Sequence, residues 1–207
     1  MNLTSKIIFV VSVICLTVWA SINLLPPQAK QNNIPLSPEI KAALVEANAN
    51  FTYKGSLIHP HLIKEFESWY SDNCPPVIVS IDVAAAAKAR NEYDSDAIKI
   101  DGSRVIARSD DGTFYQYEWL GRLENGIHIL KTADYGEGSG VFTQLVFVKF
   151  TTDFAYDEDG SRRERLLLTV MRDFILGDRD DGSIEIKANR VVISASRYRP
   201  EPIVLKF

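Results

Sequence analysis

Thiols and imidazoles are scarce in this chain. Of 207 residues only two are cysteine, Cys15 and Cys74, and three are histidine, His59, His61 and His128. Cys15 lies in an apolar leader, so the rest of the chain holds a single thiol. No disulfide closes within it, and a thiolate metal cluster is excluded. No charge sign dominates either, since 23 basic and 27 acidic residues give a net charge of −4. Without a basic excess there is no electrostatic footprint for phosphate contacts, and nucleic acid is excluded as a partner. At 46% hydrophobic and 24% charged residues, the composition matches globular domains and rules out a disordered tail, a collagenous repeat and a polytopic membrane protein. A Gly-x-Ser-x-Gly nucleophile elbow is missing; Gly138-Ser139-Gly140 sits in a tight hairpin stretch. The glycine-rich stretch from Tyr135 to Gly140 lacks a following Lys-Ser/Thr and carries an acid, so it is no phosphate loop.

What the sequence does contain begins with one long apolar run. Residues 7–20 follow the single basic residue Lys6, and continuing to Leu25 lengthens the run to 19 residues, interrupted only by Ser12, Thr17, Ser21 and Asn23. A charged start, an apolar stretch and small Ala20 at the end describe a secretory signal peptide. Left uncleaved, the same run is long enough for a single transmembrane helix. Ile14 is too bulky for the residue before a lipidated cysteine at Cys15. The expected organisation is a signal peptide or membrane anchor over 1–25, a polar, proline-bearing linker over 26–37, and one β-rich extracytoplasmic domain over 38–207. The domain is then periplasmic, or membrane-anchored and facing outward. Lys6 is the only charged residue before Pro26, so the exported part carries 22 basic and 27 acidic groups, net −5.

Ser37-Pro38-Glu39 reads as a helix start, with Ser as N-cap, Pro at the first helical position and an acid in the first turn. Ile40, Leu44, Val45 and Ala47 give this helix an apolar stripe that ends near residues 48–50. A second helix is expected over 60–70, stopped by Asn73-Cys74-Pro75-Pro76. From Val77 the period changes to two, and 77–83 reads as a strand whose end the alanine run 84–87 can turn helical. Further strands are expected over 104–109, 114–122, 127–133, 141–154, 165–176, 184–188 and 191–198. The dipeptides Asp101-Gly102, Asp111-Gly112, Asn125-Gly126, Asp159-Gly160 and Asp181-Gly182 separate them as two-residue hairpin turns. The fold class that follows is mostly β, with α+β possible: an antiparallel β-sandwich or barrel of about eight strands, one or two N-terminal helices covering a face. Strand 141–154 sets Leu145 and Phe147 against Phe142, Val146, Val148 and Phe150. Strand 165–176 sets Leu167 and Met171 against Leu166, Leu168, Val170 and Phe174. Apolar residues on both faces demand cover on both sides.

Several residues are candidates for chemistry. Asp178, Asp180 and Asp181 invite a calcium reading, but placing Gly182 at the sixth loop position puts Gly177 first and Arg179 third, which leaves two ligands missing. His59 and His61 flank Pro60; a zinc site needs His128 and a carboxylate to join them. Structural roles are the simpler reading for both sets, and no cofactor is expected. Tyr115, Tyr117 and Trp119 alternate along one strand, opposite Gln116 and Glu118. Such a stripe can stack on sugar rings, although burying it is the cheaper arrangement. Glu137 and Ser139, in the glycine-rich loop, complete the candidate binding set. Asp82 stands between Ile81 and Val83 as a candidate buried acid, with Arg172 or Arg104 as its partner. Asp82 and Glu118 are the candidate catalytic pair if they approach each other. The leading expectation is a non-catalytic domain that binds a protein partner or glycan at the cell envelope, contacting the membrane through its N-terminal helix if uncleaved. The alternatives are a carboxylate-dependent hydrolase acting on an envelope glycan and a structural component of an envelope assembly.

Overall fold

The computed structural model describes residues 35–67, 78–88, 97–136 and 138–207. The leader, most of the linker, Trp69, Tyr70, Cys74 and Glu137 therefore lie outside the described residues. Among those described, no helix is long and apolar enough to cross a membrane.

The first helix, α1 (Pro38–Asn50), starts as its sequence dictates. Ser37 is the N-cap, and its Oγ accepts the Ile40 N–H at 3.3 Å. The cap is itself held by β9 (Arg162–Asp178), because Glu164 accepts the Ser37 N–H at 3.0 Å and the Ser37 hydroxyl at 2.5 Å. A two-residue hairpin of β1 (Thr52–Tyr53) and β2 (Ser56–Leu57) leads into α2 (Pro60–Lys64). This helix is shorter than the expected 60–70, and tight turns carry the chain on to Glu67. The strand expected over 77–83 reduces to β3 (Ser80–Asp82), and the alanine run becomes α3 (Val83–Lys88). Asp82 causes this switch by accepting the Ala84 and Ala85 N–H groups at 3.1 Å each, which caps the new helix.

The remaining strands are β4 (Ala97–Asp101), β5 (Arg104–Arg108), β6 (Phe114–Arg122), β7 (His128–Tyr135), β8 (Phe142–Tyr156), β10 (Ile184–Lys187), β11 (Arg190–Ile193) and β12 (Ile203–Lys206). The fold is mostly β. A curled, seven-stranded antiparallel sheet runs in the order β3-β9-β8-β7-β6-β5-β4, and a three-stranded sheet in the order β10-β11-β12. Three of the Asx-Gly turns close three-residue loops rather than the expected two-residue ones. Ser109 pairs with Thr113, Leu123 with Ile127 and Asp157 with Ser161. In each loop only the glycine (Gly112, Gly126 or Gly160) takes a positive φ, between 80° and 89°. The Asp111, Asn125 or Asp159 side chain instead accepts the N–H two residues on. Asp181-Gly182 closes no hairpin, because it lies where the chain passes from β9 to β10 and changes sheet.

Both faces of the large sheet are covered, by different elements. On one face Ala43, Ala47, Phe51, Ile58, Ile63, Phe66 and Val83 pack on Tyr115, Tyr117, Leu130, Val146, Val148, Leu166 and Leu168. On the other, Ile129, Leu145, Phe147 and Leu176 meet Val191, Ile193 and Leu205 of the small sheet. The expected parity holds along the middle of β8 and breaks in β9. Phe147 opposes Arg172 while Val148 opposes Val170, so Met171 is an extra residue that reverses the alternation. Phe174 consequently packs with Phe147's face instead of with Leu168's, and Met171 is 52% exposed. Phe142, expected beside Val146, is 54% exposed at the strand's end.

Candidate functional site

The aromatic stripe of β6 faces the helices. Tyr115 and Tyr117 are 1% and 2% exposed, and Trp119 packs partly buried against the same core. Each has an internal partner for its polar atom. Tyr115 Oη donates to Glu67 at 2.6 Å, Tyr117 Oη to the Ile58 carbonyl at 2.8 Å, and Trp119 Nε1 to the Gly121 carbonyl at 2.9 Å. A sugar platform on the Tyr115 and Tyr117 rings is thereby corrected, since neither keeps an open face, and Trp119 is only partly exposed.

Alternation turns Gln116 and Glu118 to the opposite face, and strand register assembles a polar site around them. Asp101 opposes Arg104 across β4–β5, Arg104 opposes Glu118 across β5–β6, and Glu118 opposes Lys131 across β6–β7. Four strands thus carry a row of alternating charge, with directly opposed Cβ atoms about 5 Å apart. The neighbouring row brings Gln116, Ala133 and Thr143 together. All of these residues except Asp101 line a cleft of about 380 Å³, together with Ser103, Thr132, Val141 and Asp180. Ser139 is exposed, two residues before Val141, and does not line the cleft.

Two polar side chains of the cleft, Arg104 and Gln116, are uncommitted. Among the described residues Arg104 and Lys131 have no carboxylate partner; Lys131 Nζ reaches only the Asp180 carbonyl at 3.4 Å. Gln116 makes no side-chain hydrogen bond there, and Glu118 accepts only the Ser103 hydroxyl. Thr143 Oγ1 donates to the Gly177 carbonyl at 2.8 Å. A larger cleft of about 650 Å³ lies between α1, α3 and the β8–β9 hairpin. Its charges are largely spent on one another: Lys54 pairs with Glu39 at 2.8 Å, Arg163 with Asp82 and Asp157 at 2.7 and 3.2 Å, and Glu164 holds Ser37.

The other candidates have structural occupations. Asp82 caps α3 and pairs with Arg163, not with Arg172 or Arg104. It lies on β3, four strands from Glu118 on β6, which is roughly 19 Å along the curled sheet at about 4.8 Å per strand. Two-carboxylate chemistry needs about 5–10 Å, so the catalytic pair is corrected. Asp178 accepts the Val141 N–H at 2.8 Å and Asp181 the Arg197 N–H at 3.3 Å. The carboxylate of Asp180 is buried against Arg199 at 3.0 Å, Ser196 at 2.8 Å and the Gly182 N–H at 2.9 Å. These bonds make the acidic segment a knot joining the two sheets. His59 caps α2 by accepting the His61 N–H at 3.2 Å, and the two imidazoles stack at 5.3 Å. His128 is fully buried among Phe51, Trp119 and Phe150. No group of three metal-ligating side chains converges among the described residues.

The sequence reading missed Arg104, Gln116 and Lys131 as a set. Its usable signal was the polar side of β6, since Gln116 and Glu118 had to face somewhere once the rings were buried. Glu67 was missed altogether. It is 8% exposed, and burial pushes its carboxyl up to about 7, against the opposing hydrogen bonds from Thr132 and Tyr115. Set against protein-family models, curated proteins and solved structures, the chain matches none of them.

Proposed function

We propose that this chain is a non-catalytic binding domain of the cell envelope, exported by its leader over 1–25, and that the cleft over Arg104, Gln116, Glu118 and Lys131 holds a glycan. An uncleaved leader adds a membrane contact. The observation that supports the reading is the set of donors and acceptors that strand register gathers in the cleft, Arg104 and Gln116 among them without a bond. A sugar presents hydroxyls that both donate and accept. Arg104, Lys131 and the Gln116 amide supply donors, and Glu118 with the amide oxygen supplies acceptors. The volume falls in the range of small-ligand sites. The two carboxylates considered for hydrolysis lie too far apart to cooperate, which favours binding over chemistry.

Calorimetric titration with soluble oligosaccharides released from envelope polysaccharides tests this. Binding is expected, with Glu118→Ala or Arg104→Ala weakening it about ten- to a hundredfold, the cost of one charge-assisted hydrogen bond. The melting temperature should stay where it is. Absence of heat with every oligosaccharide, or variants that bind as the parent does, would overturn the assignment. A protein partner is favoured by one different observation. β4 is an edge strand whose Ile98 and Ile100 are 49% and 63% exposed, so an extended segment can add to the sheet there. Replacing Ile98 and Ile100 by Thr would abolish that contact and leave glycan binding intact.

A further inference from the structure

Glu67 is a carboxyl buried without a cationic partner of its own. It ends the turn after α2 and inserts among three strands. Its Oε1 takes two short hydrogen bonds, from Tyr115 Oη on β6 at 2.6 Å and from Thr132 Oγ1 on β7 at 2.5 Å. Its Oε2 has only Gln144 Nε2 on β8, at 3.4 Å. All three donors are neutral. The nearest cation, Lys64 on α2, is paired with Asp134 on β7 at 3.1 Å, and that acid faces Glu67 as a like charge. His61 of α2 stacks on the Tyr115 ring, with centroids 6.4 Å apart. A buried carboxylate with neutral donors and an acid nearby is costly as an anion.

A second observation comes from the other side of the contact. Gln144 is 3% exposed, and its Oε1 is buried with no hydrogen-bond partner. A half-turn of the amide exchanges Nε2 and Oε1, placing an acceptor opposite Glu67 Oε2. A proton on Oε2 would then be donated to the amide oxygen, and the amide nitrogen would take the position that the oxygen leaves.

We propose that Glu67 is held as a neutral acid whose Oε2 hydrogen is donated to Gln144 Oε1, and that this proton latches the 60–67 segment to the sheet. Loss of the proton leaves a buried anion facing Asp134 and frees the segment to lift from β6, β7 and β8. The latch works around neutral pH, where burial has brought the Glu67 carboxyl, to about 7. Glu67 lies on the helix-covered face of the sheet and the glycan cleft is lined mainly from the other, with Thr132 common to both.

Two measurements on the full chain test the latch. The first follows side-chain carboxyl carbons by NMR from pH 4 to 9. Glu67 should titrate near 7, apart from the exposed glutamates; titration together with those glutamates would overturn the proposal. The second follows hydrogen exchange at the amides of Phe66 and Glu67, which bond to the Ile63 and Lys64 carbonyls. Protection should fall at least tenfold between pH 5.5 and 8.5, after correction for intrinsic exchange. Glu67→Gln, which mimics the neutral acid, should keep its protection at both pH values. Equal loss in the parent and the variant would refute the latch, and if the variant does not fold, the carboxyl titration alone decides.

Discussion

The imidazole of His128 has no exposed surface, and its Nδ1 has no hydrogen-bond partner. Burial, aided by the nearby Arg122 charge, lowers its pKa to about 4. The folded state therefore binds the proton more weakly than the unfolded chain, where histidine titrates near 6.5. Stability is retained above about 6.5 and lost as pH falls toward 4, amounting to about 2 kcal/mol by pH 5. Glu67 works the other way: its folded pKa is raised, so its contribution is full below about 4.5 and is lost as pH rises toward 7. The two nearly cancel in the acid range, and substitution is needed to separate them. His128→Leu should raise the melting temperature at pH 5 well beyond any change at pH 8; equal shifts at both pH values would contradict the assigned burial of a neutral imidazole. Neither group was legible as a titrating site in the sequence. His128 reads as one more histidine in a β stretch, and Glu67 as a polar residue on a helix. What perturbs them is packing from elements distant in sequence, namely α1's Phe51 against one and Tyr115, Thr132 and Gln144 against the other. Trp119 was legible: a stripe opposite Gln116 and Glu118 belongs to the core. Trp119→Ala should cost about 3 kcal/mol in denaturant unfolding, whereas a surface platform would leave stability unchanged.

Elements were legible where local chemistry decides them. The N-cap at Ser37 and Pro38 fixed the start of α1, and alternation fixed β6 to the residue. Short or edge elements were not. β4 and β12 are edge strands, and α2 stops after Lys64 because Phe66 and Glu67 turn inward to the sheet. The bulge at Met171 escaped for a different reason, since nothing in a run of apolar residues marks which one is extra. α1 ends on Phe51, a non-glycine residue in the left-handed region at φ 55°, whose ring fills the space between Tyr117, Trp119, His128 and Phe150. The packing holds an unfavourable backbone in place. Phe51→Ala should cost about 3–5 kcal/mol. Ser37→Ala should cost about 1 kcal/mol by losing the cap. Chemical denaturation ranks the two, and a reversed order would mean that α1 is held by its start rather than its end.

At the scale of the described domain, one sheet serves two cores, and the two are built from alternate residues of the same strands. Phe147 and Leu168 are 0% and 1% exposed on opposite faces. Each truncation to Ala should destabilise by about 2–5 kcal/mol, and the double variant should approach the sum, since the side chains share no partner. Strong non-additivity would show that the faces are coupled through the backbone. Where the small sheet leaves the second face, its lining changes from Leu145 and Ile129 to Lys131, Glu118 and Arg104, and the core gives way to the cleft. That change of lining underlies the functional reading, so the most direct test asks where a ligand sits. The full chain, labelled with ¹⁵N, would be titrated with a soluble envelope oligosaccharide while amide shifts are followed. Saturating shifts are expected at Ser103, Arg104, Gln116, Glu118, Lys131 and Thr143. Saturating shifts around Lys54 and Arg162 or along β4 instead, or no shift with any envelope glycan, would contradict the account.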